Sequence, residues 1–358
     1  MATLTETAFY TRRVFKLTTF GIAALLVLKI FWGVGSFVWQ KIFPPPPPPP
    51  TVSFGKIPAI AFPEKSASGS SYTYALETVG GGLPKLPPTM KVYFMPLETV
   101  TFGGYEKMKA QAERIGFNSE PVKIAGKINS WRFRDNFSPL RHLDYDATTG
   151  SFHLYYDYRF DPGVFTQKDF NTPDQIVSDA TTYFDNLGLL DADLSAGDKG
   201  LSYFKLDTNR LVPASSLSEA DAVAVTFHRE AITNDKDNYP IVYPDPKQGL
   251  VSVLFSGSSD QNKKVIEVRY SYIPVERDTF ATYPLISSPQ AWQNLQAGHS
   301  FIAEPPSDPA QKQITIRKIY LAYFDPSPAQ TYLQPVLAFS DGKDFLAYVP
   351  LISPLWLK

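Results

Sequence analysis

The sequence predicts an α+β protein: one N-terminal transmembrane helix, then two extracytoplasmic units of antiparallel sheet, each packed by short helices. Three observations carry this. The apolar stretch Leu17 to Val38 matches the ~20 residues with which an α-helix crosses a hydrocarbon core. Beyond it, a helical pattern followed by several strand-like stretches recurs along the chain. The chain also carries 20 Tyr and 26 Phe, with regular Val and Ile, which favours sheet.

The membrane helix is expected at 17–43, after a cytoplasmic tail at 1–16. Arg12, Arg13 and Lys16 precede the apolar run, and such a basic cluster keeps its own end in the cytoplasm. A cleaved signal would have a shorter apolar core and a small-residue exit. Here the exit reads Phe37-Val38-Trp39-Gln40-Lys41-Ile42-Phe43, so a retained single-pass anchor in the cell membrane is expected. Trp32, Trp39 and Lys41 suit the outer interface. Lys29 stands mid-span, where a charge costs about 2.5–3.5 kcal/mol. Leu25, Leu26, Leu28, Ile30 and Phe31 offset it at about 0.3–0.6 kcal/mol each. Helical spacing puts Lys29, Gly33, Ser36 and Gln40 on one face. Such a stripe either receives the helix of another membrane protein, or Lys29 snorkels and the small residues are incidental.

Pro44 to Pro50 are expected to form a polyproline II rod of roughly 20 Å. Further prolines and the Ser/Gly run Ser66 to Ser71 extend this linker over 44–71. The first α+β unit is placed at 72–210. It has strands at 72–78 and 90–95, a helix from Tyr105 to Ile115, and strands around Trp131–Phe133, Leu140–Tyr145 and Phe152–Phe160. A second helix follows, with Thr172 as N-cap, Pro173 at its first position and Gly188 as its stop. The second unit, 211–358, has strands at Ala222–His228, Ile241–Tyr243, Leu250–Phe255 and Val265–Tyr272. A helix over Pro289–Ala297, capped by Ser288, precedes strands at Ile314–Tyr323, Tyr332–Phe339 and Phe345–Val349. The boundary between the units is expected near 205–220.

The chain has no cysteine, which removes thiol catalysis, Cys-based zinc sites and iron–sulfur clusters and leaves the ectodomain to be held by its core. The first 43 residues hold five Lys/Arg and one Glu, so the remainder carries 29 against 34, a net charge of −5. That balance argues against nucleic acid as a partner and against a polybasic lipid-binding patch. The four histidines are scattered, and no H-E-x-x-H, G-x-S-x-G, P-loop or G-x-G-x-x-G pattern occurs. His142, Asp144 and Asp146 alternate on one strand face. They form either a cation site or, as the Asp146-Ala-Thr-Thr-Gly150 spacing suggests, the approach to a hairpin turn. No catalytic, cofactor-binding or metal-ligating residue is assigned.

The C-terminal part resembles the YycI/YycH type of membrane-anchored regulatory proteins. The residues are Ala222-Val-Ala-Val-Thr-Phe-His-Arg229, Tyr239-Pro-Ile-Val, Gly249-Leu-Val-Ser-Val253 and Tyr270-Ser-Tyr-Ile-Pro274. Pro284-Leu-Ile-Ser-Ser-Pro-Gln-Ala-Trp292, Leu295, Ile319-Tyr-Leu-Ala-Tyr323, Tyr332-Leu-Gln-Pro-Val336 and Phe345-Leu-Ala-Tyr-Val349 extend it. The Asp-x-x-Thr-Gly turn at 146–150 is similar to that of PepSY-like modules, a helix packed on an antiparallel sheet. The resemblance covers roughly 217–352. It implies a non-enzymatic extracytoplasmic regulator or scaffold whose envelope partner is of the sensor-kinase kind. The proline rod and the unit at 72–210 depart from that pattern. The alternative is a module binding cell-wall glycan or peptide; an envelope hydrolase with spatially assembled carboxylates comes third.

Overall fold

The structure, a computed structural model, describes residues 4–42, 48–63, 72–97, 104–136, 138–234, 237–326 and 329–358. It divides into two compact units, Met1–Pro49 and Pro50–Lys358.

The first unit is one helix, α1 (Leu4–Ile42). Its Val14–Ser36 segment, 23 residues with mean hydropathy 1.9, is long and apolar enough to cross a membrane, and none of its described residues is buried. The apolar stretch therefore begins three residues ahead of the expected Leu17, with Val14 and Phe15 joining it. The helix ends at Ile42, just before the proline run, where ring geometry and missing N–H donors oppose its continuation.

In chain order the second unit holds β1 (Thr73–Leu76), β2 (Thr89–Phe94), α2 (Gly104–Arg114), β3 (Val122–Lys123), β4 (Ser130–Arg134), β5 (Arg141–Asp146) and β6 (Phe152–Tyr156). Next come α3 (Pro173–Asn186), α4 (Ala192–Ala196), β7 (Lys199–Asp207), β8 (Arg210–Pro213), β9 (Ala222–Phe227), β10 (Ile232–Asn234), β11 (Asp237–Tyr239) and β12 (Ile241–Val242). It continues with β13 (Val251–Ser256), α5 (Gln261–Lys264), β14 (Val265–Tyr270), β15 (Glu276–Pro284), α6 (Ser288–Gln296) and β16 (Phe301–Glu304). The last strands are β17 (Gln313–Ile316), β18 (Lys318–Phe324), β19 (Tyr332–Ser340) and β20 (Leu346–Pro350).

Nine strands form an antiparallel sheet in the order β3-β4-β5-β6-β14-β13-β9-β7-β8. Seven form a second sheet along β12-β18-β19-β2-β15, with β20 on β19 and β16 on β20. β19 joins its parts: Tyr332 and Leu333 pair with β2, whereas Val336 to Ser340 pair with β20. The chain thus weaves between sheets. β2 belongs to the second, while β9, β13 and β14, from beyond residue 210, lie in the first. The expected split into 72–210 and 211–358 does not divide the sheets, because alternation within each strand is local and strand pairing is not.

Helices cover one face of the nine-stranded sheet. Ile176, Ala180 and Phe184 of α3 and Met108 and Ala112 of α2 pack on Phe133, Leu143, Leu154, Val225, Val253 and Val268. Burying each large aliphatic or aromatic side chain stabilises by about 1.5–3 kcal/mol. The α3 signals act as expected: Thr172 Oγ1 accepts from Gln175 N at 3.4 Å, Pro173 opens the helix, and Gly188 follows it at φ 65°. In α6 the cap is Ser287, one residue before the expected Ser288. Its hydroxyl accepts from Gln290 N, and the Gln290 side chain accepts from Ser287 N at 2.9 Å. Ser288 instead bonds Pro84 O with its hydroxyl.

The expected linker at 44–71 needs the largest correction. Residues 44–47 and 64–71 lie outside the described residues, but Thr51 to Pro63 are part of the folded unit. Ile57 is wholly buried and pairs with Leu357, and its neighbours Val52 and Phe54 pack against Val92, Tyr283 and Ile352. Phe62 stacks on Phe301 at 4.9 Å. Apolar residues at 52, 54, 57, 60 and 62 were present between the prolines, and they form a strap along the second sheet.

Candidate functional site

The candidate site is the face of the nine-stranded sheet opposite the helices. Strand alternation places Arg132 and Arg134 (β4), His142 and Asp144 (β5), His153 and Tyr155 (β6) and Glu267 and Arg269 (β14) there. Register makes Arg132, Asp144, His153 and Arg269 neighbours across four strands. Arg132 grips Asp144 by two bonds, Nε to Oδ1 at 2.6 Å and Nη2 to Oδ2 at 2.7 Å. His153 and Glu267 share a hydrogen bond at 2.8 Å, and Arg269 Nε donates to the same Glu267 oxygen at 2.6 Å. Burial pushes Glu267 up, but the His153 bond and Arg269 outweigh it and hold its carboxyl below the usual range. Burial, reinforced by Arg132 and Arg134, lowers His142.

Two depressions share Arg269 on this side. One, of about 630 Å³, lies between the β3–β4 hairpin and the strands; Ile124, Lys127 and Ile128 form its wall, with Asp144, His153 and Arg269 beneath. The other, about 210 Å³, has a floor of small residues, Ser202, Ala224, Thr226 and Ser252, under the rim of Phe204, Leu211 and Tyr158. Gly249 packs closely beside Thr226 of that floor. A Cβ there would meet Thr226 Cγ2 at 2.9 Å, and its φ of 58° also suits glycine. The surface can offer paired charges and a small-residue trough to another molecule.

His142, Asp144 and Asp146 do share one face of β5, but they do not converge on a ligand. Asp144 is held by Arg132, and Asp146 Oδ1 accepts from Thr148 N and Thr149 N, making the hairpin turn. Among the described residues no group of three or more His, Asp or Glu side chains could hold a metal ion. On α1, Lys29, Gly33 and Ser36 are exposed; Ser36 Oγ donates to Gly33 O at 2.9 Å, and nothing lies within 4 Å of a Cβ built on Gly33. Gln40 continues the helix, as do Arg12, Arg13 and Lys16; the side chains of Gln40, Arg12 and Arg13 lie outside the described residues.

A buried ionic centre joins the two sheets. Arg229, just after β9, bonds Asp325 Oδ2 at 2.6 Å, Asp193 Oδ2 at 3.0 Å and Ile273 O at 2.5 Å. Its guanidinium lies 4.1 Å from the centre of the Tyr272 ring, whose hydroxyl donates to Asp193 Oδ1 at 2.7 Å. Desolvation opposes the Arg229 charge, but Asp325 and Asp193 hold it protonated. Asp325 is raised by burial, against the pull of Arg229, and its Oδ1 has no partner among the described residues. Of its three charged residues only Asp325 directly follows an apolar strand end, Phe324, so no local pattern in the sequence marks this centre.

No protein-family profile matches the chain, and comparison with curated proteins gives no match. Among solved structures, the Bacillus megaterium YpeB C-terminal domain is similar over 72% of this chain and 95% of its own, at 12% identity and a TM-score of 0.29. A likeness so distant carries neither fold nor function across.

Proposed function

We propose that this chain is a non-enzymatic, membrane-tethered extracytoplasmic regulator or scaffold of an envelope partner. The observation that carries the reading is α1: Val14–Ser36 has the length and hydropathy of a membrane span, with its apolar surface free for lipid or another helix. The basic residues Arg12, Arg13 and Lys16 assign its N-terminus to the cytoplasm. The strap supports the regulatory role, since only the proline run separates α1 from residues packed in the folded unit. Displacement of the membrane helix by a partner would then reach the strap through a connection of only residues 43–50. The Lys29, Gly33, Ser36 and Gln40 face is the partner contact, and the resemblance around 217–352 makes a sensor kinase the first partner to examine.

Exchanging Val14–Ser36 for an unrelated membrane helix of equal length tests this. Loss of the cellular phenotype with normal export and folding is the expected result. Full function with any anchor would sink the reading and favour the alternative, a cell-wall glycan or peptide binder. The hollow of about 630 Å³ on the open sheet face is what favours that alternative.

A further inference from the structure

We infer that the β3–β4 hairpin is a second membrane contact, a finger that dips into an anionic lipid surface. The net charge of the chain beyond residue 43 conceals it. Residues 121–134 contain Lys123, Lys127, Arg132 and Arg134 and no acidic residue. Val122 and Ile128 are 62% and 83% exposed, and both lysines are exposed with no ion pair among the described residues. A body that carries a net charge of −5 beyond residue 43 therefore has here a small site where aliphatic and cationic side chains project together.

The tip is built to hold that shape. Ile124 N donates to Ser130 O at 2.9 Å, Gly126 and Asn129 turn at φ 77° and 57°, and Asn129 Nδ2 reaches Thr148 Oγ1 at 3.1 Å. Ala147 N donates to Asn129 O at 2.8 Å, tying the tip to the neighbouring β5–β6 turn. Apolar side chains on such a fixed tip gain from entering the headgroup–acyl boundary, and lysines beside them gain from anionic headgroups.

Size decides between lipid and protein. A stable protein interface buries about 800 Å² and takes about 20–30 residues per partner, whereas the hairpin from Val122 to Arg134 has thirteen residues. A bilayer needs only a few side chains, because the tether already supplies the proximity. Only residues 43–50 separate α1 from the docked strap, and so short a connection keeps the effective concentration of the lipid surface high. The inference rests on the membrane-tethered reading.

The absence of cysteine makes the test direct. Full-length Ile128→Cys protein carrying an environment-sensitive dye is reconstituted into phosphatidylcholine vesicles with or without phosphatidylglycerol, some lipids being brominated. The expected result is blue-shifted emission quenched by brominated lipid only with phosphatidylglycerol present, and abolished by Lys123→Glu with Lys127→Glu. A label at Leu355→Cys, a similarly exposed site at 78%, should stay solvent-like. A solvent-like signal at 128 in vesicles that do carry the protein would overturn the inference and leave the hairpin to a protein partner. Quenching equal at 355, or insensitive to charge reversal, would overturn it as well. Failure of the protein to float with vesicles would instead contradict the tether itself.

Discussion

Arg229 and Glu267 show how differently two charged residues can serve one fold. Arg229 is 1% exposed in its side chain and holds Asp325 and Asp193 together, so removing it leaves buried carboxylates without their cation. Arg229→Leu should cost about 3–5 kcal/mol in urea unfolding; a cost under about 1 kcal/mol would mean the centre is dispensable. Glu267, on the open face, has a carboxyl held below its ordinary 4.5, so its contribution is present above that value and is lost as pH falls through the lowered one. Glu267→Gln should therefore narrow the difference between unfolding midpoints measured at about pH 5 and about pH 3. An unchanged difference would show that the His153 and Arg269 contacts do not couple to folding. That Lys29, Gly33, Ser36 and Gln40 lie in one helix could be read from sequence because helical spacing is local. Arg229 could not, because its carboxylate partners lie 36 and 96 residues away.

At the level of elements, local signals fared well where the physics is local. Thr172, Pro173 and Gly188 delimit α3, and Asp146 with Gly150 makes its turn, because caps and turns are decided within a few residues. The expected strand Ile314–Tyr323 is in fact two strands, β17 and β18, separated at Arg317, with different partners. The strap reads as linker because it lies between the proline run and the Ser/Gly run and holds Pro58 and Pro63 itself, while its docking depends on Ile57 meeting Val92 and Ile352 from distant strands. Ile57 N donates to Trp356 O at 3.0 Å, and Lys358 N donates to Ile57 O at 2.9 Å, so strap and C-terminus form one paired element. Ile57→Ala should cost about 2–5 kcal/mol and speed amide exchange in both 51–63 and 354–358. Faster exchange in only one of the two segments would show that they are held independently.

Across the whole molecule, the α+β composition and the N-terminal apolar helix were legible in the sequence, and the arrangement of strands was not. Residues on both sides of 210 build the nine-stranded sheet, and β2 crosses to the second sheet, so no cut at that boundary yields a complete core. Pairings such as β6 with β14 span more than a hundred residues and leave no local mark. The proposed function requires that α1 cross a membrane and engage a partner there. The most direct measurement places a photoreactive amino acid at position 33 of the full chain in cells, where nothing approaches a Cβ within 4 Å, and identifies adducts by mass spectrometry. The account predicts one dominant membrane-protein adduct, lost when Lys29 is changed to Leu. Adducts with lipid alone, or the same adducts after Lys29→Leu, would contradict it and reduce α1 to a tether.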